Sequence, residues 1–309
     1  MIARSLYAWI LIPTMVLFQE NAFSSDIFAS LHLETEAGYE GNRFIEAGPG
    51  DGAAFLSVNP GLDIATFGMA TETALLLNYR RTQYQERPAG SKDEASAALQ
   101  GRYFTGRNEF GARSGTGLNQ DLSLPEDDTS FWHLRPYWER TLESWPFEIG
   151  LSGSYLRTSY DSAINVSGEG RSDEHAELRP CARWHASRHA TLWTDFYLEN
   201  HASNVREAEY TGTGGTIGST LEPAPRLHID VWTGIGFRQY RSDLEDTEKE
   251  EIPWRAGGSM TYRCRPWLEF FAVADGESIN GSPRDIEYSW WRVAGGIRVV
   301  LEQDMGAQR

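Results

Sequence analysis

The sequence predicts an all-β chain, a transmembrane antiparallel up-and-down β-barrel of about fourteen strands, with about twelve to sixteen admissible. Three observations predict it: long segments of strictly alternating polarity, connections that alternate long and short, and an export leader without any helical span. The first is plainest in residues 27–40. Ile27, Ala29, Leu31, Leu33, Thr35, Ala37 and Tyr39 fall on one parity, and Ser30, His32, Glu34, Glu36, Gly38 and Glu40 on the other. Side chains of a strand alternate faces, so this segment has one oily and one charged face. Its length exceeds the five or so residues usual in soluble domains and suits a tilted strand crossing a bilayer, about 9–11 residues plus extensions.

The same pattern recurs along the chain. Residues 54–65 place Leu56, Val58, Pro60, Leu62 and Ile64 on one face, and 72–84 place Leu75, Leu77 and Tyr79. Segments 94–105 and 110–118 follow, joined by a tight turn at Gly106-Arg107-Asn108. Residues 131–140 alternate Trp132, Leu134, Pro136 and Trp138 with His133, Arg135, Tyr137 and Glu139. Segments 147–160 and 174–185 come next, the latter opposing Ala176, Leu178, Pro180, Ala182 and Trp184 to His175, Glu177, Arg179, Cys181, Arg183 and His185. The remaining strands are predicted at 191–200, 206–218, 227–240, 252–264, 267–274 and 286–301. Connections of roughly ten residues alternate with turns of about two to six, as in outer-membrane barrels with long external loops and short periplasmic turns. Acid collects in the long loops, at Glu126, Asp127, Asp128 and across 243–251, while the short turns hold Arg107, Arg188 and Arg265.

The leader occupies residues 1–24. Arg4 supplies its positive end, Leu6 to Phe18 an apolar run broken by Pro13, and Ala22-Phe23-Ser24 the small residues a signal peptidase accepts, so cleavage is expected near Ser24. A membrane anchor is the alternative, disfavoured by the shortness of the run. The expected organisation is a signal peptide (1–24), a barrel in the outer membrane of a Gram-negative bacterium (25–301) and a polar C-terminal tail (302–309). No apolar run reaches the about 18 residues of a membrane helix. The net charge of −16 argues against a nucleic-acid partner. Only Lys92 and Lys249 are lysines, so the cations are almost all fork-shaped guanidinium groups. Cys181 and Cys264 lie on separate segments and can pair or remain free thiols.

Leu134-Arg135-Pro136 and Leu178-Arg179-Pro180 repeat, with Val58-Asn59-Pro60 a looser copy. Proline removes a ladder donor, so its return in strands descending from long loops predicts a recurrent bulge or twist, with coincidence the alternative. Tyr39-Glu40-Gly41-Asn42-Arg43-Phe44, Val58-Asn59-Pro60-Gly61-Leu62, Tyr79 and Tyr84 resemble the opening of the beta-barrel porin-2 type, outer-membrane barrels linked to exopolysaccharide export. The resemblance covers about the first sixty residues after the leader and the general layout beyond. It implies a transport or structural role and carries over no catalytic residue. One departure is that such barrels end on an aromatic read by the insertion machinery, whereas Val299-Val300-Leu301 here precedes a polar tail.

With the oily faces toward lipid, the expected lumen-lining residues are His32, Glu34, Glu36, Arg135, Glu139, Glu177, Arg179, Arg183, Arg238, Arg255, Arg292 and Arg298, with Arg263 beside them. Closure brings Arg292 and Arg298 toward Glu34 and Glu36, predicting salt-bridged ladders at the seam and an arginine-rich remainder that favours anionic solutes or sugar acids. The alternative is that the charges only satisfy one another in a narrow or plugged barrel. Trp132, Trp138, Trp184 and Trp291 are expected in the interfacial girdles. The function expected is a porin-like channel or an outer-membrane component of an exopolysaccharide or envelope export system. Its partners would be outer-membrane lipid and lipopolysaccharide, the barrel-insertion machinery and polysaccharide-export components. The competing reading is an outer-membrane esterase of the phospholipase or lipid A deacylase type. It rests on His201-Ala202-Ser203-Asn204, which resembles the H-x-S-N stretch of those enzymes and puts His201 and Ser203 on one face. Against it, no glycine follows Asn204 and both side chains turn inward. No H-E-x-x-H, Walker loop or G-x-G-x-x-G occurs, and Gly150-Leu151-Ser152-Gly153-Ser154 lacks the glycine a nucleophile elbow needs. No cofactor and no histidine-based metal site is expected. The acidic loops invite Ca²⁺ or Mg²⁺ bridging to lipopolysaccharide phosphates, with plain solvation the simpler reading.

Overall fold

The computed structural model of the chain describes residues 26–41, 52–85, 91–121, 128–164, 170–205, 208–241, 249–282 and 287–304. The expected leader at 1–24 and most of the long acidic connections, including Glu126, Asp127 and 243–248, lie outside the described residues. Fourteen strands are present: β1 (Asp26–Gly41), β2 (Gly52–Phe67), β3 (Thr71–Tyr84), β4 (Ser91–Thr105), β5 (Asn108–Asp121), β6 (Thr129–Thr141) and β7 (Phe147–Ile164). The second half comprises β8 (Gly170–Ser187), β9 (Ala190–Ser203), β10 (Tyr210–Ala224), β11 (Leu227–Tyr240), β12 (Glu250–Arg265), β13 (Leu268–Ser282) and β14 (Glu287–Asp304). Each pairs antiparallel with its sequence neighbours, and β14 closes on β1 with Leu33 opposite Val299 and Glu34 opposite Arg298. Closure leaves no sheet edge, so every strand finds backbone partners on both sides, the condition for crossing hydrocarbon.

The wall is inside-out relative to a soluble protein. Leu31 on β1 is 52% exposed, while Glu36 on the opposite face is 3% exposed. Leu56, Leu118, Leu198, Ile217, Ile235 and Val293 likewise face outward, and Ser57, Asp195, Glu199 and Glu269 are buried inside. Burial here is largely mutual packing of polar side chains across the lumen wall, beside one small inward apolar cluster of Ala53, Phe55, Tyr84 and Ala294.

Several strands differ from the sequence expectation. The chain at 161–173, expected as loop, mostly extends β7 and β8 with Ile164 opposite Gly170. Glu250 and Glu251, expected in an acidic loop, begin β12, and Asp275 with the residues after it continues β13 to Ser282. β14 runs into the polar tail, Glu302 pairing with Ser30 and Asp304 with Phe28. Strand ten is displaced most, from the expected 206–218 to Tyr210–Ala224. Its inward positions Gly214 and Gly218 lie under the rings of Tyr197 and Trp193, which occupy the space a Cβ would need. The large inward groups thus belong to the neighbouring strand, and the β10 sequence alone carries little alternation.

The recurrent proline does not mark a bulge. On β2, β6 and β8, pairing with the following strand lapses at Pro60, Pro136 and Pro180 and resumes with the same register. What is missing is the ladder contact proline cannot donate. Register shifts fall instead near strand ends, at 221/224, 263/265, 159/164 and 185/187. The turns follow local chemistry. Gly106, with φ +58°, opens the two-residue β4–β5 loop, as a type II′ turn requires. Arg226 after Pro225 takes φ +74°, a position usually given to glycine. Cys181 and Cys264 are both free, the first facing in from β8 and the second lying in the register shift near the end of β12.

Candidate lumenal site

The barrel seam carries a continuous charge ladder. Arg298 on β14 donates to Glu34 on β1 at 2.6 Å and reaches Glu269 on β13 at 3.4 Å, and Arg263 on β12 joins Glu269 at 2.8 Å. One step along, Glu36 accepts from Arg292 at 2.5 Å and from Arg80 on β3 at 2.6 Å. Glu40 closes the row by accepting from the Trp290 indole at 2.7 Å and the Tyr84 hydroxyl at 3.1 Å. His32 faces Asp63 at 3.9 Å.

A second network lines β6–β13. Arg183 pairs with Glu139 at 3.0 Å and Glu148 at 3.6 Å. Arg179 grips both oxygens of Glu177, at 2.9 and 3.0 Å, and touches Asp195 at 3.2 Å. Arg238 donates to Glu199 at 2.8 Å, and Arg255 to Glu277 at 2.8 Å. Of the arginines named as lumen-lining, Arg135 differs. Its register partner on β5 is Arg113, and among the described residues neither closes an ion pair.

The arginine-rich remainder expected from sequence is corrected. On the inward faces of the described strands, carboxylates outnumber arginine and lysine side chains. Asp173, Asp195, Glu199, Glu269, Asp275 and Glu277 also turn inward, beyond the lumen-lining residues expected from sequence. Parity within each correctly cut strand is the signal that finds them.

His175, Glu177 and Glu199 bring one ligand atom each within 4.8 Å of one another across β8 and β9. Linear spacing did not suggest this cluster, because the register supplies it. The Arg179 and Arg238 guanidiniums already occupy the two carboxylates, so a cation would have to displace them.

The esterase constellation takes a form unsuited to a triad. Ser203 Oγ donates to Asp173 at 2.6 Å, and His201 Nε2 faces the other oxygen of that carboxylate at 3.6 Å. Asp173 is further clamped by Arg171 at 2.7 Å. A nucleophilic serine must give its proton to the imidazole, with the acid behind the imidazole. Here the acid takes the serine proton's hydrogen bond directly. Both side chains lie on the lumen face, away from lipid.

Outside, Trp132, Trp138, Trp184 and Trp291 all face away from the lumen. Trp291 stacks on Tyr39 at 5.4 Å and Trp132 packs on Tyr155 at 5.5 Å toward the long-loop ends, while Trp184 stacks on Phe147 at 6.1 Å toward the short turns.

No family model matches the sequence, and no curated protein matches it. Solved structures do. A loop-deletion form of OmpT, an outer membrane protein of Vibrio cholerae, aligns with TM-score 0.52 at 10% identity over 90% of this chain and 99% of the other. The outer membrane channel DcaP of Acinetobacter baumannii aligns with TM-score 0.51 at 9% identity over 90% of this chain and 97% of the other. At such identity the likeness is one of fold, and the fold is that of an outer-membrane β-barrel.

Proposed function

We propose that this chain is a porin-like conduit of a Gram-negative outer membrane, passing polar solutes through its lumen. The observation that carries the reading is the inverted wall, oily outside and densely ionic within, bordering a lumenal cavity of about 850 Å³ lined by Gln100, Arg135, Tyr137 and Ser154 among others. The likeness of fold to an outer-membrane channel supports the reading without naming a solute.

On this reading the leader is removed near Ser24, the insertion machinery receives the chain, and the aromatic girdles settle against lipid and lipopolysaccharide. The porin-2 resemblance of residues 39–84 adds a place beside exopolysaccharide-export components. Planar-bilayer recording of the purified barrel is the test. Discrete conductance steps with a modest preference for small cations are expected from the carboxylate excess. Sealed bilayers at all voltages would remove the conduit reading.

A further inference from the structure

We propose that Arg113, Arg135 and His133 form a lumenal binding site for the oxyanion group of a hydroxylated solute, a sugar acid being the class that fits. The proposal rests on the conduit reading and deepens it. Arg113 and Arg135 are direct register partners on the inward faces of β5 and β6, with Gln100 of β4 opposite Arg113. Like charges directly across a sheet repel, so the pair costs stability where it stands. Elsewhere the lumenal arginines are matched: Arg80, Arg102, Arg171, Arg179, Arg183 and Arg238 each reach a carboxylate.

Three acids that line the adjoining cavity are already engaged. Along the cavity wall, Glu109 accepts from the Tyr137 hydroxyl at 2.6 Å, Glu139 holds Arg183, and Glu177 holds Arg179. Asp63 attracts Arg113 from β2 without closing an ion pair. Among the described residues four buried side-chain atoms have no hydrogen-bond partner, and two of them are here, Nε of Arg113 and Nε2 of His133; the others are Asn59 Oδ1 and Nε of Arg292, whose guanidinium is held by Glu36. His133 is only 8% exposed and sits two residues from Arg135 on the same face. A buried donor or acceptor left unmade is expensive. Arg113 and Arg135 both border the same cavity; two guanidinium forks there are what a carboxylate or phosphate neutralises, and they offer it paired donors, with the unsatisfied His133 imidazole buried in the wall two residues from Arg135. Gln100, Tyr137 and Ser154 line the adjoining cavity and offer polar atoms to hydroxyl groups.

Calorimetric titration of the detergent-solubilised full chain tests this, with D-glucuronate, inorganic phosphate and glucose in separate arms. Saturable glucuronate binding is expected, tighter than phosphate and absent for glucose. Arg113→Gln and Arg135→Gln should each weaken it roughly ten- to a hundredfold, the loss of one charge-assisted contact. Each variant should also unfold at the same or a higher temperature than the parent, because repulsion is relieved. A lower unfolding temperature in both would make the arginines structural and overturn the site. Glucuronate no tighter than phosphate would overturn the sugar-acid assignment. Binding absent, or unchanged in both variants, would overturn the site altogether. Titration reads binding whether or not ions flow, so a barrel that binds but does not conduct would sink the conduit reading alone.

Discussion

Replacing Glu36 by glutamine should loosen the closure of the barrel more than any exposed charge removal. Glu36 on β1 holds Arg80 of β3 and Arg292 of β14, so one carboxylate ties the first strand to both sides of the seam. The carboxylate is 3% exposed and its two partners 29% and 26%. A hydrogen bond to a charged group contributes about 1.5–3 kcal/mol, and removing one member of a buried ion pair costs about 3–5 kcal/mol. Water in the lumen reaches both arginines, which favours the low end. Glutamine also keeps an acceptor for one of them. The expected loss is therefore about 2–3 kcal/mol. Urea unfolding in lipid vesicles, followed by tryptophan fluorescence, reads it. The comparison is Glu94→Gln, whose Lys92 partner lies at 3.5 Å with both side chains more than a third exposed. That change should cost under about 0.5 kcal/mol. In Glu36→Gln with Arg292→Gln, the losses should combine to less than their sum, since both remove the same contact. If Glu36→Gln costs no more than Glu94→Gln, or the double variant is simply additive, the seam ladder is not what holds the barrel shut.

Three further outcomes follow from the faces and turns. Nitroxide labels walked along 227–237 should report lipid at Ile229, Val231, Thr233 and Ile235 and water at Asp230, Trp232 and Gly234. Equal accessibility at both parities would contradict the wall's orientation. Leu33→Arg puts a charge on the lipid face and should cost about 2–4 kcal/mol in the same unfolding assay if the site is at mid-membrane. Arg226→Gly relieves the left-handed backbone at φ +74° and should stabilise by about 1 kcal/mol, less what is lost from the contact to the Cys264 carbonyl. An unfolding midpoint that falls would mean that contact outweighs the strain.

Strand parity was readable wherever one face was uniformly apolar. Residues 227–240 were bounded correctly because Ile229, Val231, Thr233, Ile235 and Phe237 never break step. The same logic placed Glu34 and Glu36 beside Arg298 and Arg292, because closure must pair the last strand with the first. It failed on β10, where Tyr197 and Trp193 of the neighbouring strand fill the space over glycines, so the information lay in another segment. It also stopped short on β8, β12 and β13, where the strands run on toward the long loops and lose their oily parity. Those extensions carry Asp173, Glu251 and Glu277, which hold Arg171, Lys249 and Arg255. Missing them left the interior looking richer in arginine than it is.

The charge pattern that results argues for a particular division of labour inside the lumen. Ion pairs across neighbouring strands fix side chains in place, so matched regions present a rigid and nearly neutral lining. Unmatched groups are where a passing solute meets a net field that no neighbouring ion pair cancels. The carboxylate excess is spread over several strands, at Asp230, Asp275 and Glu40 among others. The unmatched cations are concentrated on two adjoining strands at Arg113 and Arg135. Spread negative charge biases the small ions that enter, whereas a local positive spot of fixed geometry recognises a shape. An interior built this way separates conduction from recognition. Neutralising Arg113 and Arg135 should then abolish preference among solutes while leaving small-ion conductance largely intact.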